Sequence, residues 1–326
     1  MNTSLASNTR PLQAKIFFLK DRARMLQKAR AFFHDRDLLE VDCPALSHGA
    51  PIDLHIDVMK VALKGHTTGY LHTSPEYGMK RLLSAGIGDI YQISHVFRDG
   101  EIGPLHNPEF TMAEWYRIGF SFSQMIEETL DFIRLFLGDL PAQTMSYRQT
   151  LQHFLGIDYL AATPADLLAC AQQNNLELPS DASTWDKDTL LQLLVSFLIE
   201  PQLGNDHLFV LSHFPSSQAA LSKTFILPDG EPIACRFEVY YRGIELANGY
   251  HELTDAAEQR RRFENANRAR KEAGKDTLAI DEKFLEALES GIPDCCGVAV
   301  GFDRLMQLKH GLKEIAPVLP FIWEES

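Results

Sequence analysis

The stretch from Val96 to Tyr116, VFRDGEIGPLHNPEFTMAEWY, constrains the fold of this chain more than any other. Residues Ile90 to Phe97 and the last eight residues of the stretch alternate with the period of two that is typical of strands. The pattern predicts two strands joined by a long loop. On the second strand a ring at Phe110, a carboxylate at Glu114 and a phenol at Tyr116 share one face, which places Phe110 and Glu114 roughly 13 Å apart.

These residue types suit an extended ligand with a flat ring at one end and an ammonium group at the other. A guanidinium at Arg98 can hold phosphate or carboxylate through two parallel hydrogen bonds, and Phe110 offers a ring face to a purine. For any one of these residues alone, an ordinary hairpin with a solvated arginine and a core phenylalanine is the more frequent explanation. The whole string closely resembles motif 2 of the class II aminoacyl-tRNA synthetases, and specifically of their lysyl branch.

Length and composition are those of a folded protein of enzyme size. The 326 residues can hold one large domain or two ordinary ones, and 45% hydrophobic residues are ample for a buried core. No apolar run approaches the roughly 20 residues of a membrane span, and the polar start from Met1 to Lys15 lacks the apolar segment of a secretion signal. We therefore expect a cytoplasmic protein without a membrane partner. Five cysteines without a CxxC motif or a Cys/His cluster predict buried free thiols.

The formal net charge of −13 disfavours a nucleic-acid-binding surface, which usually carries a basic excess. The basic run from Arg260 to Arg262 could form a local patch, but a solvated helix face is the more frequent explanation. We therefore do not expect tRNA as a partner.

An upstream segment resembles motif 1, which builds the dimer interface in the class II enzymes. Apolar residues recur at helical spacing from Phe18 to Phe33, and the segment LLEVDCPAL then predicts a strand closed by Pro44. The resemblance implies a homodimer.

The segment TSPEYGMKRLLSAG predicts a short helix that begins at Ser74 and Pro75 and ends at Gly86. It matches the lysyl-type pattern S-P-E-x-x-x-K-R-L. The residues alone leave two explanations for Glu76, which is either a ligand-binding carboxylate or a charge favoured by the helix dipole.

A second pair of strands is predicted in CRFEVYYRGIELANGYHELTD, where Glu238 and Glu245 lie on either side of a turn at Gly243. Paired carboxylates beside a triphosphate are what Mg²⁺ requires, although exposed strand charges would look the same. The match to the lysyl-type pattern R-F-E-x-x-x-x-G-x-E-x-x-N-G-x-x-E-L favours metal and ATP.

The last motif is GVAVGFDRLMQLKHGL, which predicts a strand that turns at Gly301 into a helix with Arg304 in its first turn. Glycine lets the backbone approach a ligand, and a helix N-terminus with an arginine favours phosphate. The pattern G-x-x-x-G-x-D-R-L in this position resembles motif 3.

With all three motifs in order, the resemblance implies an α+β class II synthetase catalytic fold, a mixed and mainly antiparallel sheet flanked by helices. We expect one catalytic domain over residues 1–326, with a helical insertion at about 140–215 and no anticodon-binding domain. That organisation resembles the stand-alone elongation factor P lysine ligases, which activate β-lysine with ATP and pass it to a lysine side chain of elongation factor P. The resemblance therefore implies ATP, β-lysine or lysine, and elongation factor P as partners.

The resemblance also implies a role for particular residues. In the expected first step the substrate carboxylate attacks the α-phosphate of ATP, and Arg98 and Arg304 act on the phosphates. The ATP-binding residues would be Arg98, Asp99, Gly100, His106, Asn107, Phe110, Glu245, Leu246, Gly301 and Arg304. The substrate-binding residues would be Ser74, Pro75, Glu76, Glu114, Tyr116, Asn248, Glu252 and Ala299. Mg²⁺ would bind Glu238 and Glu245.

The chain departs from the synthetase pattern in several places. Arg-Asp-Gly stands where the synthetases usually have Arg-Asn-Glu, so Asp99, Glu101 or the backbone is expected to contact adenine. Leu105 stands where the synthetases often have an arginine, just before the histidine of motif 2. Ala247 and Ala299 replace glycines near the amino-acid pocket, and their methyl groups favour a substrate whose amine is displaced from the α-carbon, such as (R)-β-lysine.

Three other functions share this fold or these motifs. They are a truncated lysyl-tRNA synthetase that charges tRNA, an enzyme resembling asparagine synthetase, and a non-catalytic paralogue that binds an amino acid as a regulatory subunit. The SPE, NGYHE and AEWY segments disfavour the second. Retention of Arg98, Glu238, Glu245 and Arg304 disfavours the third.

Overall fold

The computed structural model describes residues 9–65 and 67–326, so the polar start predicted from the sequence lies largely outside the described residues. The chain divides into two compact units. The first takes in the chain up to Phe120, Asp131–Gly138 and Thr254–Ser326, and the second takes in Ser121–Leu130 and Asp139–Leu253. That one catalytic domain spans the whole chain stays a prediction.

The helices and strands are numbered here in chain order. The α-helices are α1 Thr9–His34, α2 Glu76–Ser84, α3 Phe122–Leu137, α4 Tyr147–Leu155, α5 Pro164–Gln173, α6 Lys187–Leu194, α7 Ala256–Glu272, α8 Glu282–Ser290 and α9 Phe302–Lys309. The strands are β1 Leu39–Glu40, β2 Leu46–Ser47, β3 Lys60–Leu63, β4 Thr67–Leu71, β5 Ile90–Phe97, β6 Glu109–Ile118, β7 Ala142–Ser146, β8 Leu208–Pro215, β9 Thr224–Ile226, β10 Pro232–Tyr241, β11 Ile244–His251 and β12 Cys295–Gly301.

The first unit contains strands β1, β5, β6 and β12 side by side. β6 is antiparallel to both β5 and β12, and β1 is parallel to β5. Aromatic side chains from helices cover one face of these strands. Phe33 of α1 stacks on Tyr91 with ring centroids 4.3 Å apart, and Phe132 of α3 packs on Trp115 at 5.2 Å. Since side chains alternate along a strand, Glu114 and Tyr116 point to the opposite face.

The second unit contains strands β11, β10, β8 and β7, with β9 also paired to β10. β7 and β8 are parallel and the other pairs are antiparallel. Apolar residues of α4, α5 and α6 form one buried cluster with β8, exemplified by Leu151, Leu167, Leu190 and Phe209. The turn between β10 and β11 has a φ of 72° at Gly243, which confirms the predicted turn.

The α+β fold predicted from the motifs is confirmed, with mainly antiparallel strands and flanking helices. Two segments differ from the prediction. In LLEVDCPAL the paired strand is only Leu39 and Glu40, and the Val41 N–H still donates to Tyr91 O of β5 at 2.8 Å. Past Pro44, which has no N–H to donate, the chain enters β2, which pairs with β4. The insertion at about 140–215 also contains the short strand β7, which was not predicted.

Three further expectations concern the cysteines, membrane-spanning helices and the basic run from Arg260 to Arg262. All five cysteines are buried and free, as predicted. Among the described residues, no helix is long and apolar enough to cross a membrane. Arg260 pairs with Glu282, and Arg261 and Arg262 pair with Glu258, so carboxylates neutralise the basic run.

A buried ion pair connects the segments that carry the three motifs. Arg22 of α1 bonds to Asp303 of α9 and donates to Thr111 Oγ1 of β6 at 2.7 Å. Asp303 also accepts from the Thr111 backbone N–H at 2.8 Å, and the Arg22 guanidinium lies 5.1 Å from the centre of the Phe302 ring. These contacts hold α1 and the start of α9 against β6, and so they fix the helix turn that carries Arg304.

Replacing one partner of this network should destabilise the protein strongly. We expect Asp303→Asn to lower the free energy of unfolding by about 3–5 kcal/mol, because it leaves the buried Arg22 guanidinium without its counter-charge. Urea unfolding followed by circular dichroism measures the loss. The control is Lys60→Met, which breaks the exposed pair with Asp276 and should cost less than about 1 kcal/mol. Equal losses in the two variants would refute a structural role for the network.

Candidate nucleotide and amino-acid site

Strand register in the first unit places two of the predicted substrate residues, Glu114 and Ala299, in one row with Gln92. Gln92 on β5 lies opposite Glu114 on β6, and Glu114 lies opposite Ala299 on β12. Residues directly opposite each other on antiparallel strands have Cβ atoms about 4.5–5.5 Å apart. The Ala299 methyl group is therefore a direct neighbour of the Glu114 side chain. Its place fits the prediction that it narrows the amino-acid pocket.

Glu114 is a buried carboxylate, since only 2% of it is exposed. Its Oε1 accepts a hydrogen bond from the Tyr116 hydroxyl at 2.7 Å. The pKa of the nearby Cys43 thiol is raised to about 11 by burial and, secondarily, by the negative charge of Glu114. Glu114 therefore places an acidic group in a buried part of the sheet, where an ammonium ligand would be a favourable counter-charge.

Arg98 follows β5 and contacts Phe110 at the start of β6. Its guanidinium carbon lies 5.0 Å from the centre of the Phe110 ring, and its Nη1 lies 3.5 Å from Glu101 Oε1. The buried Arg98 Nε has no hydrogen-bond partner among the described residues. The structure thus brings together the cation and the ring that the sequence predicted for phosphate and purine, with Glu101 beside them.

Arg304, the other arginine predicted to act on the phosphates, contacts His106. Arg304 Nη2 lies 2.8 Å from His106 Nε2. Desolvation, the Arg304 guanidinium and, to a smaller extent, Arg98 lower the pKa of His106, while Glu101 opposes them. His106 is therefore neutral at pH 7 and can accept this hydrogen bond from Arg304.

The remaining motif 2 residues surround these side chains. Gly100 has a φ of 76°, and the Asp99 backbone N–H donates to Asp57 O at 2.9 Å. The Asn107 amide is held on both sides, since its Nδ2 donates to Glu109 O at 2.6 Å and its Oδ1 accepts from the Trp323 N–H at 3.0 Å. These contacts order the end of the loop next to His106. A nucleotide contact by Asp99, Gly100 or Asn107 stays a prediction.

Helix α2 carries the substrate residues predicted in the SPE segment. Pro75 is the N-cap, and the Glu76 backbone N–H donates to Ser74 Oγ at 3.3 Å. The Glu76 carboxylate accepts from Lys80 Nζ at 2.6 Å. Sequence reasoning missed Lys80, although the spacing of four residues in S-P-E-x-x-x-K is the signal of such a pair.

In the second unit, Glu238 is held by three side chains. Arg236 and Asn248 donate to its Oε1, and the Tyr240 hydroxyl donates to its Oε2. Only 6% of Glu238 is exposed. Burial and the charge of Glu238 raise the pKa of the Tyr240 phenol, which therefore stays protonated as a donor. Sequence reasoning missed Arg236 and Tyr240, because their contacts depend on the strand register.

The other predicted residues of the second unit lie along β11 and just after it. Glu245 is opposite Tyr240, Leu246 is buried at a register shift, and Asn248 is opposite Glu238. Glu252 follows the strand, is buried and forms a β-bridge with Ser222. Glu238 and Glu245 therefore both lie beside Tyr240, and both charges act on its phenol.

The carboxylates of β10 and β11 are the candidate ligands of a metal ion. Within residues 9–65 and 67–326, no group of three or more His, Cys, Asp or Glu side chains could hold a metal ion by itself. Mg²⁺ commonly binds one or two carboxylates and completes its shell with substrate phosphates and water. Two neighbouring carboxylates on adjacent strands fit that mode, in which ATP would supply the remaining oxygens.

Comparison with known sequences identifies the class. The family model described as class II tRNA synthetases (D, K and N) matches residues 9–324. The chain belongs to this family. Among curated proteins it is similar to several named elongation factor P (R)-beta-lysine ligase. The relative from Haemophilus influenzae strain Rd is 45% identical over 305 residues, which cover 92% of this chain and 93% of the relative.

Two further relatives carry the same name. One from Klebsiella pneumoniae subsp. pneumoniae is 46% identical over 308 residues, covering 93% of this chain and 94% of the relative. One from Pasteurella multocida is 43% identical over 313 residues, which cover 94% of this chain and 95% of the relative. These comparisons confirm the family resemblance predicted from the three motifs and the SPE and NGYHE segments.

The contact between His106 and Arg304 predicts a pH response. Folding lowers the pKa of His106, so the folded protein binds fewer protons than the unfolded chain, and stability is lost as the pH falls below the ordinary value of 6.5. Arg304→Met should raise the pKa of His106 without restoring it fully, because desolvation remains. Nuclear magnetic resonance titration of labelled histidines measures the pKa of His106, and the His106→Gln variant identifies its signal by the loss of that signal. Lys309→Met, on the same helix, should leave the His106 pKa unchanged, and an equal rise in both variants would contradict the assignment.

Proposed function

We propose that this protein activates (R)-β-lysine with ATP and ligates it to a lysine side chain of elongation factor P. The single observation that carries the proposal is the identity of 43–46% to relatives named for this reaction, over more than nine tenths of each chain. The described side chains supply suitable chemistry, namely two guanidinium groups, a ring beside one of them, and buried carboxylates.

In the first step an oxygen of the β-lysine carboxylate attacks the α-phosphorus of ATP. A bond from oxygen to the α-phosphorus forms, the bond between this phosphorus and the pyrophosphate oxygen breaks, and pyrophosphate leaves. We assign Arg98 to the α-phosphate and the substrate carboxylate, and Arg304 with His106 to the outer phosphates. Phe110 stacks on adenine. The step depends on charge neutralisation and alignment more than on a protein base.

Glu238 and Glu245 are the residues that would hold Mg²⁺ in this proposal. When bound with ATP, the ion neutralises phosphate charge and orients the phosphate chain. Arg236, Asn248 and Tyr240 fix the Glu238 carboxylate by hydrogen bonds, so its orientation does not depend on the metal.

Substrate recognition is assigned to buried carboxylates. Glu114, oriented by Tyr116, and Glu76, oriented by Lys80, are proposed to bind ammonium groups. Glu252 and Asn248 keep the substrate-binding role expected from the sequence. The remaining residues of the nucleotide and amino-acid sites keep the roles expected from the sequence. They are Ser74, Pro75, Asp99, Gly100, Asn107, Leu246, Ala299 and Gly301.

In the second step the side-chain amine of the acceptor lysine attacks the carbonyl carbon of the adenylate. A carbon–nitrogen bond forms, the bond from that carbon to the phosphate oxygen breaks, and AMP leaves. The departing phosphate can accept the proton of the amine. We place this reaction in the cytoplasm, where translation factors act, and we propose that the protein works as a homodimer.

Pyrophosphate exchange followed by acceptor labelling tests the proposed function. We expect ATP–pyrophosphate exchange with (R)-β-lysine, weaker exchange with α-lysine and none with aspartate. Label from β-lysine should then appear on elongation factor P and not on tRNA. Transfer to tRNA would instead establish a truncated lysyl-tRNA synthetase. Amino-acid binding without any exchange would establish a regulatory paralogue.

The position of Ala299 opposite Glu114 predicts a change of substrate preference. Ala299→Gly removes a methyl group beside the carboxylate, so α-lysine should gain relative to (R)-β-lysine by up to about tenfold in kcat/KM. Pyrophosphate exchange with each amino acid measures the ratio. Ala113→Gly, on the opposite face of the neighbouring strand, controls for loss of strand stability. An unchanged ratio in Ala299→Gly would refute the pocket argument.

A further inference from the structure

Lys80 is a buried lysine to which the sequence assigned no role. None of its surface is exposed, although lysine is among the residues that are least often buried. Its Nζ lies 2.6 Å from Glu76 Oε1 and 6.0 Å from the centre of the Phe284 ring. A buried ammonium group of this kind needs a specific counter-charge, and Glu76 provides one.

Packing of α2 fixes this pair in place. Residues four apart on a helix lie on the same face, and the buried face of α2 includes Glu76, Met79, Lys80 and Leu83. Next to Glu76, the Tyr77 ring stacks on Phe284 of α8 with centroids 4.3 Å apart and planes 2° apart. The helix therefore cannot rotate without breaking this aromatic contact, and the carboxylate of Glu76 and the ammonium of Lys80 stay on the buried side.

The pair leaves one carboxylate oxygen of Glu76 for a ligand. Lys80 binds Oε1, and the described residues supply no further hydrogen-bond donor to the carboxylate. Other charged groups lie near this part of α2. The negative charges of Asp53 and Asp281 act on Tyr77 together with that of Glu76, and Arg81 acts on the neighbouring Cys43 thiol. Among these groups, Lys80 is the cation that is hydrogen-bonded to the Glu76 carboxylate.

We propose that Lys80 is a positioning residue for substrate recognition, which orients Glu76 so that its second carboxylate oxygen can bind an ammonium group of the amino acid. The inference rests on the proposed function, since it needs Glu76 to bind the substrate. Lys80 itself does not touch the reacting atoms. Its loss therefore impairs binding of the amino acid and leaves binding of ATP intact.

A double-mutant cycle tests this role. The variants are Lys80→Met, Glu76→Gln and the double variant, and the control is Arg81→Met, which removes an exposed cation from the same helix. ATP–pyrophosphate exchange gives KM for (R)-β-lysine, KM for ATP and kcat. We expect Lys80→Met to raise KM for (R)-β-lysine about tenfold or more, the effect of losing a charge-assisted hydrogen bond, with KM for ATP changed less than about twofold.

Non-additivity of the two substitutions distinguishes a positioning role of Lys80 from a general effect on the stability of the protein. If Lys80 acts through Glu76, Lys80→Met causes little further loss when Glu76→Gln is already present. Arg81→Met should behave like the unaltered protein. If Lys80→Met alone does not fold, the comparison uses Lys80→Arg, which keeps the charge and should retain a KM for β-lysine well below that of Glu76→Gln.

Three outcomes would overturn the inference. They are an unchanged KM for β-lysine in Lys80→Met, an equal rise of both KM values, and the same loss with and without Glu76→Gln. Absence of exchange in the unaltered protein would instead refute the proposed function, so the two failures are distinguishable.

Discussion

The hydrogen-bonded register of β6 between β5 and β12 is the constraint on which the first unit depends. It sets Gln92, Glu114 and Ala299 in one row, and it places Trp115 and Tyr91 on the other face under Phe132 and Phe33. A slip of one residue would move the carboxylate into the aromatic core and the indole into the site. The burial of the aromatic side chains therefore stabilises the same register that positions the polar ones.

Polar contacts then fix the groups that act on the phosphates. Asp303 connects α9 to β6 and α1, and the next residue, Arg304, contacts His106. Arg98 lies over Phe110 at the other end of the same loop. In the second unit Arg236 and Tyr240 orient Glu238 in the same way. Arg98, Arg304 and Glu238 are thus each held by a neighbour, which lowers the cost of ordering them when a ligand binds.

Sequence patterns predicted the strands and turns well where alternation or glycine was strong. The alternation around Glu114, the turn at Gly243 and the strand that ends at Gly301 were all predicted correctly. The strand β7, AQTMS, was missed because it is short, polar and exposed or half-buried along its length. The strand in LLEVDCPAL was predicted too long, because its β-branched and apolar residues do not reveal where pairing with β5 stops.

The sequence predicted which residues belong to the candidate site more completely than it predicted the contacts among them. Motif spacing identified Arg98, Phe110, His106 and Arg304, and the structure groups them in pairs. Motif spacing allowed the Glu76–Lys80 pair but could not show that the pair is buried, because a glutamate and a lysine four residues apart also suit an exposed helix. Which side of α2 is buried depends on the stacking of Tyr77 on Phe284, a contact between residues far apart in sequence.

The central claim is that the buried carboxylates beside the sheet recognise a substrate with two ammonium groups while it is attached to a nucleotide. Titration calorimetry with a non-hydrolysable β-lysyl-sulfamoyl adenylate, and with two analogues that each lack one amine, tests it most directly. The account predicts that each missing amine weakens binding to the unaltered protein. It also predicts that the Glu114→Gln variant binds one of the two analogues as tightly as it binds the complete compound. Equal affinity of all three compounds for the unaltered protein would contradict it.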